Sequence, residues 1–283
     1  MTPLRGRSST TASSAMTTAP TIAAPQRRRV RSTIELYEMQ VAILSDIHGN
    51  RHAFEAVLAD AESAGAEEMW CLGDLVGYGA EPDACVELAR RHAAICLAGN
   101  HDMGVTGAIG LDEFSTGAAI AARWTRETIS DANMQFITAL VPAGEEDGIG
   151  LYHASPRDPV WEYVLSALLA ELCFDAQPQR VALIGHSHVA LSFTRPEGDV
   201  ATGEARRHGD ALDIGPKTGE WLLNPGSVGQ PRDGDPRAAW LMLDTDGWHA
   251  RWQRVEYDVA GAAAAIRAAR LPDSLAERLG YGQ

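Results

Sequence analysis

The stretch SDIHGN, Ser45–Asn50, sits between the apolar run VAIL, Val41–Leu44, and the stretch HAFEAVLADAESAG at 52–65. A short, unbroken apolar run predicts a buried strand. The apolar residues of 52–65 recur at helical spacing and stop at a glycine, as an amphipathic helix does. The unit is therefore strand, loop, helix, and it recurs twice. EMWCL runs into GDLVGYG ahead of the helical DACVELARR, and AAICLA runs into GNHD. Such alternation argues an α/β fold. Taken alone, Asp46 and His48 suit a helix cap and a turn, which favour Asp and other small polar residues.

The pattern continues downstream. Residues 112–140 predict two helices, DEFSTGAAIAARWTRETI and DANMQFITAL, the second with Asp131 as N-cap and Pro142 beyond its end. A strand in GIGLYHAS follows, then a helix from Trp161 to Phe174, the strand RVALIG leading into HSH, and the strand VALSF. Past Gly198 the segments EWLLNPGSVG, AAWLMLD and WHARWQRVEYD, the last after an Asp246-Gly247 turn, predict a second, partly antiparallel sheet. The C-terminal segments VAGAAAAIRAARLP and DSLAERL are expected to be helical.

Composition bounds the function classes. The chain has 283 residues and a net charge of −14, and residues 1–38 carry six arginines against Glu35 and Glu38. The remainder therefore holds 18 bases against 36 acids, with Lys217 its one lysine. A body so acidic repels a phosphate backbone, so stable binding to long nucleic acids is not expected. No apolar run is long enough for a membrane span, and Cys71, Cys85, Cys96 and Cys173 show no C-x-x-C spacing. A soluble, cytoplasmic protein with core cysteines is the expectation. The Arg/Ser/Thr/Ala-rich segment 1–38 is expected to be disordered. Its acid-poor composition also has a faint likeness to a transit peptide, and Met39 offers an alternative start. Residues 39–283 then form one domain, with 112–140 a helical cap within it.

Five polar clusters each follow an apolar strand: SDIHGN, GDLVGYG, GNHD, YHASP and GHSH. In open α/β sheets ligands sit beyond the carboxyl ends of strands, where such loops converge. The converging side chains are Asp46, His48, Asp74, Asn100, His101, Asp102, His153, His186 and His188. Carboxylates, imidazoles and an amide oxygen suit divalent first-row metals, and there are too many for one ion. Each residue singly has an ordinary structural explanation. Together they demand five coincidences at the same position. His186 and His188, two apart in an extended segment, are expected to share one face.

The order D-x-H, G-D, G-N-H-[DE], a lone H and G-H-x-H resembles the calcineurin-like metallophosphoesterase superfamily, and NPGSVGQPR, 224–232, is similar to a segment of its compact prokaryotic, phosphodiesterase-like members. The resemblance covers roughly Met39 to Asp258. It implies a four-layer α/β/β/α sandwich of two mixed sheets flanked by helices, with two divalent ions at one edge. Manganese is the expected ion, and iron, zinc, nickel or cobalt also suit. By the resemblance, Asp46, His48 and His188 hold one ion, Asn100, His153 and His186 the other, and Asp74 bridges both. Ions about 3.5 to 4 Å apart share a water and lower its pKa to roughly 7, which provides a hydroxide to attack phosphorus without a covalent enzyme intermediate. His101, kept protonated and oriented by Asp102, would donate to the departing oxygen. Asn50, Arg51, Arg157 and Arg232 are the candidates for gripping the phosphate.

Departures from the family patterns narrow the reading. Ser/Thr protein phosphatases carry G-D-x-x-D-R-G at the second motif, where this chain has GDLVGYG. Purple acid phosphatases place a tyrosine three residues after the bridging aspartate, where this chain has Gly77. His101 is present, which favours an enzyme over a scaffold. The expected activity is hydrolysis of a small phosphodiester or nucleotide. The alternatives are a phosphomonoesterase or protein phosphatase, and a metal-binding scaffold or regulator with little activity. Trp124, Arg123 and Arg126 are the residues of 112–140 that would select a substrate, with plain packing as the competing role.

Overall fold

The computed structural model describes residues 39–283, and the expected disorder of 1–38 lies outside the described residues. Two six-stranded mixed sheets stack face to face with helices on their outer faces. The first runs β3 (Ile95–Cys96), β2 (Glu68–Cys71), β1 (Gln40–Leu44), β11 (Ala238–Asp244), β12 (His249–Val255), β9 (Ala211–Asp213). The second runs β4 (Ala143–Glu146), β5 (Ile149–Tyr152), β6 (Val181–Leu183), β10 (Glu220–Pro225), β7 (Ala190–Arg195), β8 (Thr202–Ala205). The four-layer α/β expectation holds.

The unbroken apolar run of β1 is explained by its two buried faces. Val41 and Ile43 point between the sheets with Trp70, Leu183, Leu223 and Trp252. Ala42 and Leu44 point outward, beneath Phe54 and Val57 of α1 (Arg51–Ser63) and Val86 of α2 (Pro82–His92). On the far side, α6 (Ala167–Ala176) covers the second sheet with Ala170, Cys173 and Phe174. At about 25 cal/mol per Å² of apolar area removed from water, these layers dominate stability. Trp240 is wholly buried yet keeps its indole N–H satisfied, donating to Asp60 Oδ2 at 2.8 Å. No helix among the described residues is long and apolar enough to cross a membrane.

The structure departs from several local expectations. The later strands do not make the second sheet by themselves: β9, β11 and β12 return to the first sheet, where β11 pairs antiparallel with β1. Residues 161–166 are not helical. The helix starts at Ala167 because Ser166 caps it by accepting from the Leu169 N–H. Likewise Ser130, not Asp131, caps α5 (Asp131–Thr138), which follows α4 (Thr116–Thr128). The β11–β12 connection spans residues 245–248, and Trp248 rather than Gly247 takes the left-handed backbone.

What positions the site is strand direction. β1, β2 and β3 are mutually parallel, and so are β5, β6 and β10. Their carboxyl ends open onto one edge of the sandwich, and each delivers a polar loop there.

Candidate metal centre

At that edge Asp46, His48, Asp74, Asn100, His153, His186 and His188 converge, each buried to within a few percent of complete exclusion. Their side chains fall into two groups whose donor atoms lie within 4.8 Å of one another, Asp46 with His48 and His188, and Asp74 with His153 and His186, and a third group of His48, Asp74 and His101 overlaps both. Asp74 Oδ2 lies 3.5 Å from His48 Nε2 and 3.5 Å from His153 Nε2, so one carboxylate oxygen stands between the two groups. Asn100 Oδ1 is 3.3 Å from His153 Nε2.

The tautomers follow from the backbone. His48, His153 and His188 place Nδ1 against the carbonyl oxygens of Val76, Leu72 and Gln230, at 3.2, 2.9 and 2.7 Å. A carbonyl only accepts, so each Nδ1 carries the proton and each Nε2 presents a bare lone pair. The Nε2 atoms of His48 and His188 face each other at 3.0 Å. Two lone pairs at that distance repel, and the contact makes sense only with a cation between them and the carboxylates. Asp46 Oδ1, Asp74 Oδ2 and His186 Nε2 are likewise buried without a hydrogen-bond partner. Carbonyl-locked imidazoles with orphaned carboxylate oxygens are the donor set of a divalent-metal site. The residues fit the ions that the sequence implies.

Electrostatics agree. Burial pushes the Asp46 carboxyl up to about 7, against the opposing pull of His153. Burial, then the neighbouring Asp102 charge, holds Asp74 well above the ordinary carboxylate range. Burial also drives His48, His186 and His188 well below the usual imidazole range. His48, His186 and His188 are thus held in their neutral, metal-binding form, while the dry pocket opposes the charge of Asp46 and Asp74 that cations would restore, since bound ions invert the local pKa logic.

The backbone at these positions is unusual. Asp46, His48, Asp74, His186 and His188 all take left-handed φ, between 51° and 64°. Asp and His tolerate that region better than most residues, yet it still costs on the order of 1 kcal/mol each and clusters at functional sites. This corrects the expectation for His186 and His188. Their segment is not extended, and the kinks send the two imidazoles to different metal groups.

The 224–232 segment clasps the centre together. Ser227 Oγ donates to the Asp46 carbonyl at 2.8 Å, and the Gly229 N–H donates to the same oxygen at 2.9 Å. Asn224 Nδ2 donates to the Gly185 carbonyl, and the Gln230 carbonyl locks His188. At Gly99 a Cβ would collide with Asp74 Oδ1, so the position of the Asp74 carboxylate requires a glycine there.

His101 opens α3 (Asn100–Thr106) and lies among His48, Tyr78 and Phe114, with ring centroids 4.8, 4.4 and 5.0 Å away. Its Nδ1 is buried without a partner. The expected support from Asp102 is absent. Asp102 accepts from the N–H groups of Leu75, Val76 and Gly99, at 3.3, 3.1 and 2.9 Å, and so ties the loop after β2 to the start of α3. Burial, then Arg232 and His153, holds His101 well below the usual imidazole range rather than protonated. His101 also groups with His48 and Asp74 within ligating range, but it lacks the carbonyl lock of His48, His153 and His188.

An open cleft of about 340 Å³ leads to the centre, lined by Tyr78, Asn100, His101, Phe114, Trp161, Tyr163, Arg232 and Arg278 among others. Of the four candidate phosphate grips, only Arg232 lines it. Asn50 caps α1 through its Oδ1 and gives Nδ2 to the Gly229 carbonyl. Arg51 pairs with Glu55 and Glu81, and Arg157 with Glu162. The helical segment reaches the cleft through Glu113, Phe114, Ser115 and Ala118, not through Trp124, Arg123 and Arg126. Trp124 packs in a helical cluster, and Arg126 donates to the Gly104 and Val105 carbonyls at the end of α3. The aromatic wall and Arg278 had no sequence signal, since nothing in their spacing ties them to the motifs.

The model of the calcineurin-like phosphoesterase superfamily domain matches residues 39–247. An uncharacterised protein of Methanocaldococcus jannaschii is 38% identical over 253 residues, 88% of this chain and 100% of that one. The crystal structure of a metallophosphoesterase from Sphaerobacter thermophilus superposes with a TM-score of 0.78 at 40% identity, covering 87% of this chain and 99% of that one. A hypothetical protein from Pyrococcus horikoshii shares the fold, with a TM-score of 0.69 at 19% identity over 87% and 99% of the two chains. The chain belongs to the calcineurin-like phosphoesterase superfamily and is a phosphoric ester hydrolase of its metal-dependent kind.

Proposed function

We propose that this member of the calcineurin-like phosphoesterase superfamily is a two-metal phosphodiesterase acting on a small phosphodiester or nucleotide. One observation carries the two-metal part: Asp74 Oδ2 is equidistant, at 3.5 Å, from an imidazole of each donor group. Asp46, His48 and His188 would hold one ion, Asn100, His153 and His186 the other, and Asp74 both. Manganese is our choice of ion. When bound, such a pair supplies Lewis acidity to the phosphoryl oxygens and a water acidic enough to be a nucleophile near neutral pH.

The chain's own groups do the rest. Arg232 meets the incoming phosphoryl group with a guanidinium that forms no ion pair with an acidic side chain among the described residues. His101, at the cleft side of the centre, is neutral while the cleft is empty; the anionic phosphoryl group beside it would favour uptake of a proton from water, which His101 then gives to the departing oxygen as the P–O bond breaks. Phe114 and Trp161, edge to face at 5.3 Å, and Tyr163, stacked on His186 at 4.1 Å, form a wall for an organic arm on the phosphorus. That wall supports a diester over a bare monoester. The net charge of −14 opposes long nucleic acids, and the four free cysteines support a reducing, cytoplasmic setting.

The test is hydrolysis of bis(p-nitrophenyl) phosphate by purified protein with Mn²⁺, after stripping by a chelator and after metal is restored. The reading requires activity that disappears and returns. Undiminished turnover in stripped protein would refute it.

A further inference from the structure

Tyr78 carries two guanidiniums over its ring: that of Arg232, 5.7 Å from the centroid, and that of Arg278, 5.9 Å away. Neither forms an ion pair with an acidic side chain among the described residues, whereas Arg51, Arg157, Arg195, Arg237 and Arg254 all do. Arg232 gives Nη2 to the Tyr78 hydroxyl and to Gln230 Oε1, and its Nε is buried with no partner. Arg278 spends its Nε on the Gln283 backbone oxygen at 2.7 Å. Both line the cleft that reaches Asn100 and His101.

Two guanidiniums thus line one cleft beside one aromatic ring, in a chain with a large excess of acids. Burial, and next the charge of Arg232, oppose the ionised form of Arg278. An arrangement of this kind is costly when empty of anions and favourable with one between the two forks. The two arginines also differ in depth. Arg232 is close enough to the metal ligands to act electrostatically on Asp46 and Asp74. Arg278 comes from the closing turn Arg278–Gly280, past residue 247, where the superfamily match ends.

We infer that Arg278 and Arg232 together bind a second phosphoryl group, so that the substrate is a phosphoester with another phosphoryl a few bonds from the scissile one. Arg278 is then a specificity-determining residue supplied by the C-terminal segment. This rests on the phosphoesterase reading for the inner end of the cleft. The aromatic wall accommodates the organic part of the same molecule, and Glu113, an exposed residue that also lines the cleft, forms no ion pair with either guanidinium.

The experiment is calorimetric titration of metal-loaded protein with phosphonate analogues of AMP and ADP, in which methylene replaces each hydrolysable bridging oxygen. Wild type should bind the two-phosphoryl analogue at least about tenfold more tightly, equivalent to roughly 1.4 kcal/mol. In Arg278→Gln the ratio should fall towards one, and Arg278→Lys, which keeps the charge but loses the fork, should lie between. Equal binding of both analogues by wild type overturns the proposal, a result that needs no variant. So does an unchanged ratio in Arg278→Gln, including equal weakening of both ligands, which marks a merely structural arginine. Turnover of bis(p-nitrophenyl) phosphate in the same buffer judges the underlying reading separately. Turnover without the ratio removes the second subsite alone, whereas the ratio without turnover removes the phosphodiesterase assignment alone.

Discussion

Replacing Asp102 by asparagine separates a structural role from a catalytic one. Asp102 is fully buried, and its two oxygens accept three backbone N–H groups, with Oδ2 serving Leu75 and Gly99 and Oδ1 serving Val76. An asparagine oriented to keep the Oδ2 contacts must turn its amide hydrogens towards the Val76 N–H. One charge-assisted bond is lost, worth about 1.5 to 3 kcal/mol, and one buried donor is left unpaired at about 1 to 3 kcal/mol. Part of that is returned, because burial opposes the Asp102 charge in the first place. The expected net loss is about 2 to 4 kcal/mol, or roughly 4 to 16 °C in Tm for a domain of this size. Urea and thermal unfolding in the presence of a chelator measure it without metal linkage. Metal affinity should weaken too, because Gly99 and Leu75 flank Asn100 and Asp74. A variant with wild-type stability and metal affinity but a much reduced kcat would refute this reasoning and restore Asp102 as the orienting partner of His101.

Two further outcomes are expected. His101→Ala should lose about 10² to 10⁴ in kcat while retaining its metals by atomic absorption, as is common for a general acid. Loss of metal there would make His101 a ligand instead. Gly99→Ala should cost both metal affinity and stability, because the added methyl meets the Asp74 carboxylate and also the Asp74 backbone nitrogen. Calorimetry with Mn²⁺ on that variant checks it, and unchanged affinity would mean that the loop yields without moving Asp74.

The strand-end logic was legible because it depends on local periodicity and on donor chemistry repeated at equivalent places. VAIL followed by SDIHGN, and RVALIG followed by HSH, announce strand and candidate metal donors together. What escaped depends on long-range geometry. The return of β11 and β12 to the first sheet is a matter of pairing between Val41 and Leu243, which no local pattern encodes. The paired left-handed kinks at His186 and His188 looked like two residues of a strand, because nothing in their residue types excludes extension. Asn50, Arg51 and Arg157 appeared available from their positions beside motifs, yet each has a structural partner within reach. Arg278 shows the converse: it lies far from every motif in sequence, and the C-terminal helices α7 (Val259–Ala268) and α8 (Asp273–Glu277) carry it back over Tyr78.

The central claim is a pair of ions sharing Asp74. Titrating metal-free protein with Mn²⁺ and recording its electron paramagnetic resonance spectrum tests that claim most directly. The account predicts two bound equivalents with the exchange-coupled spectrum of a bridged pair, and loss of the coupling in Asp74→Asn. A single bound equivalent, or two with the spectrum of isolated Mn²⁺, would contradict it.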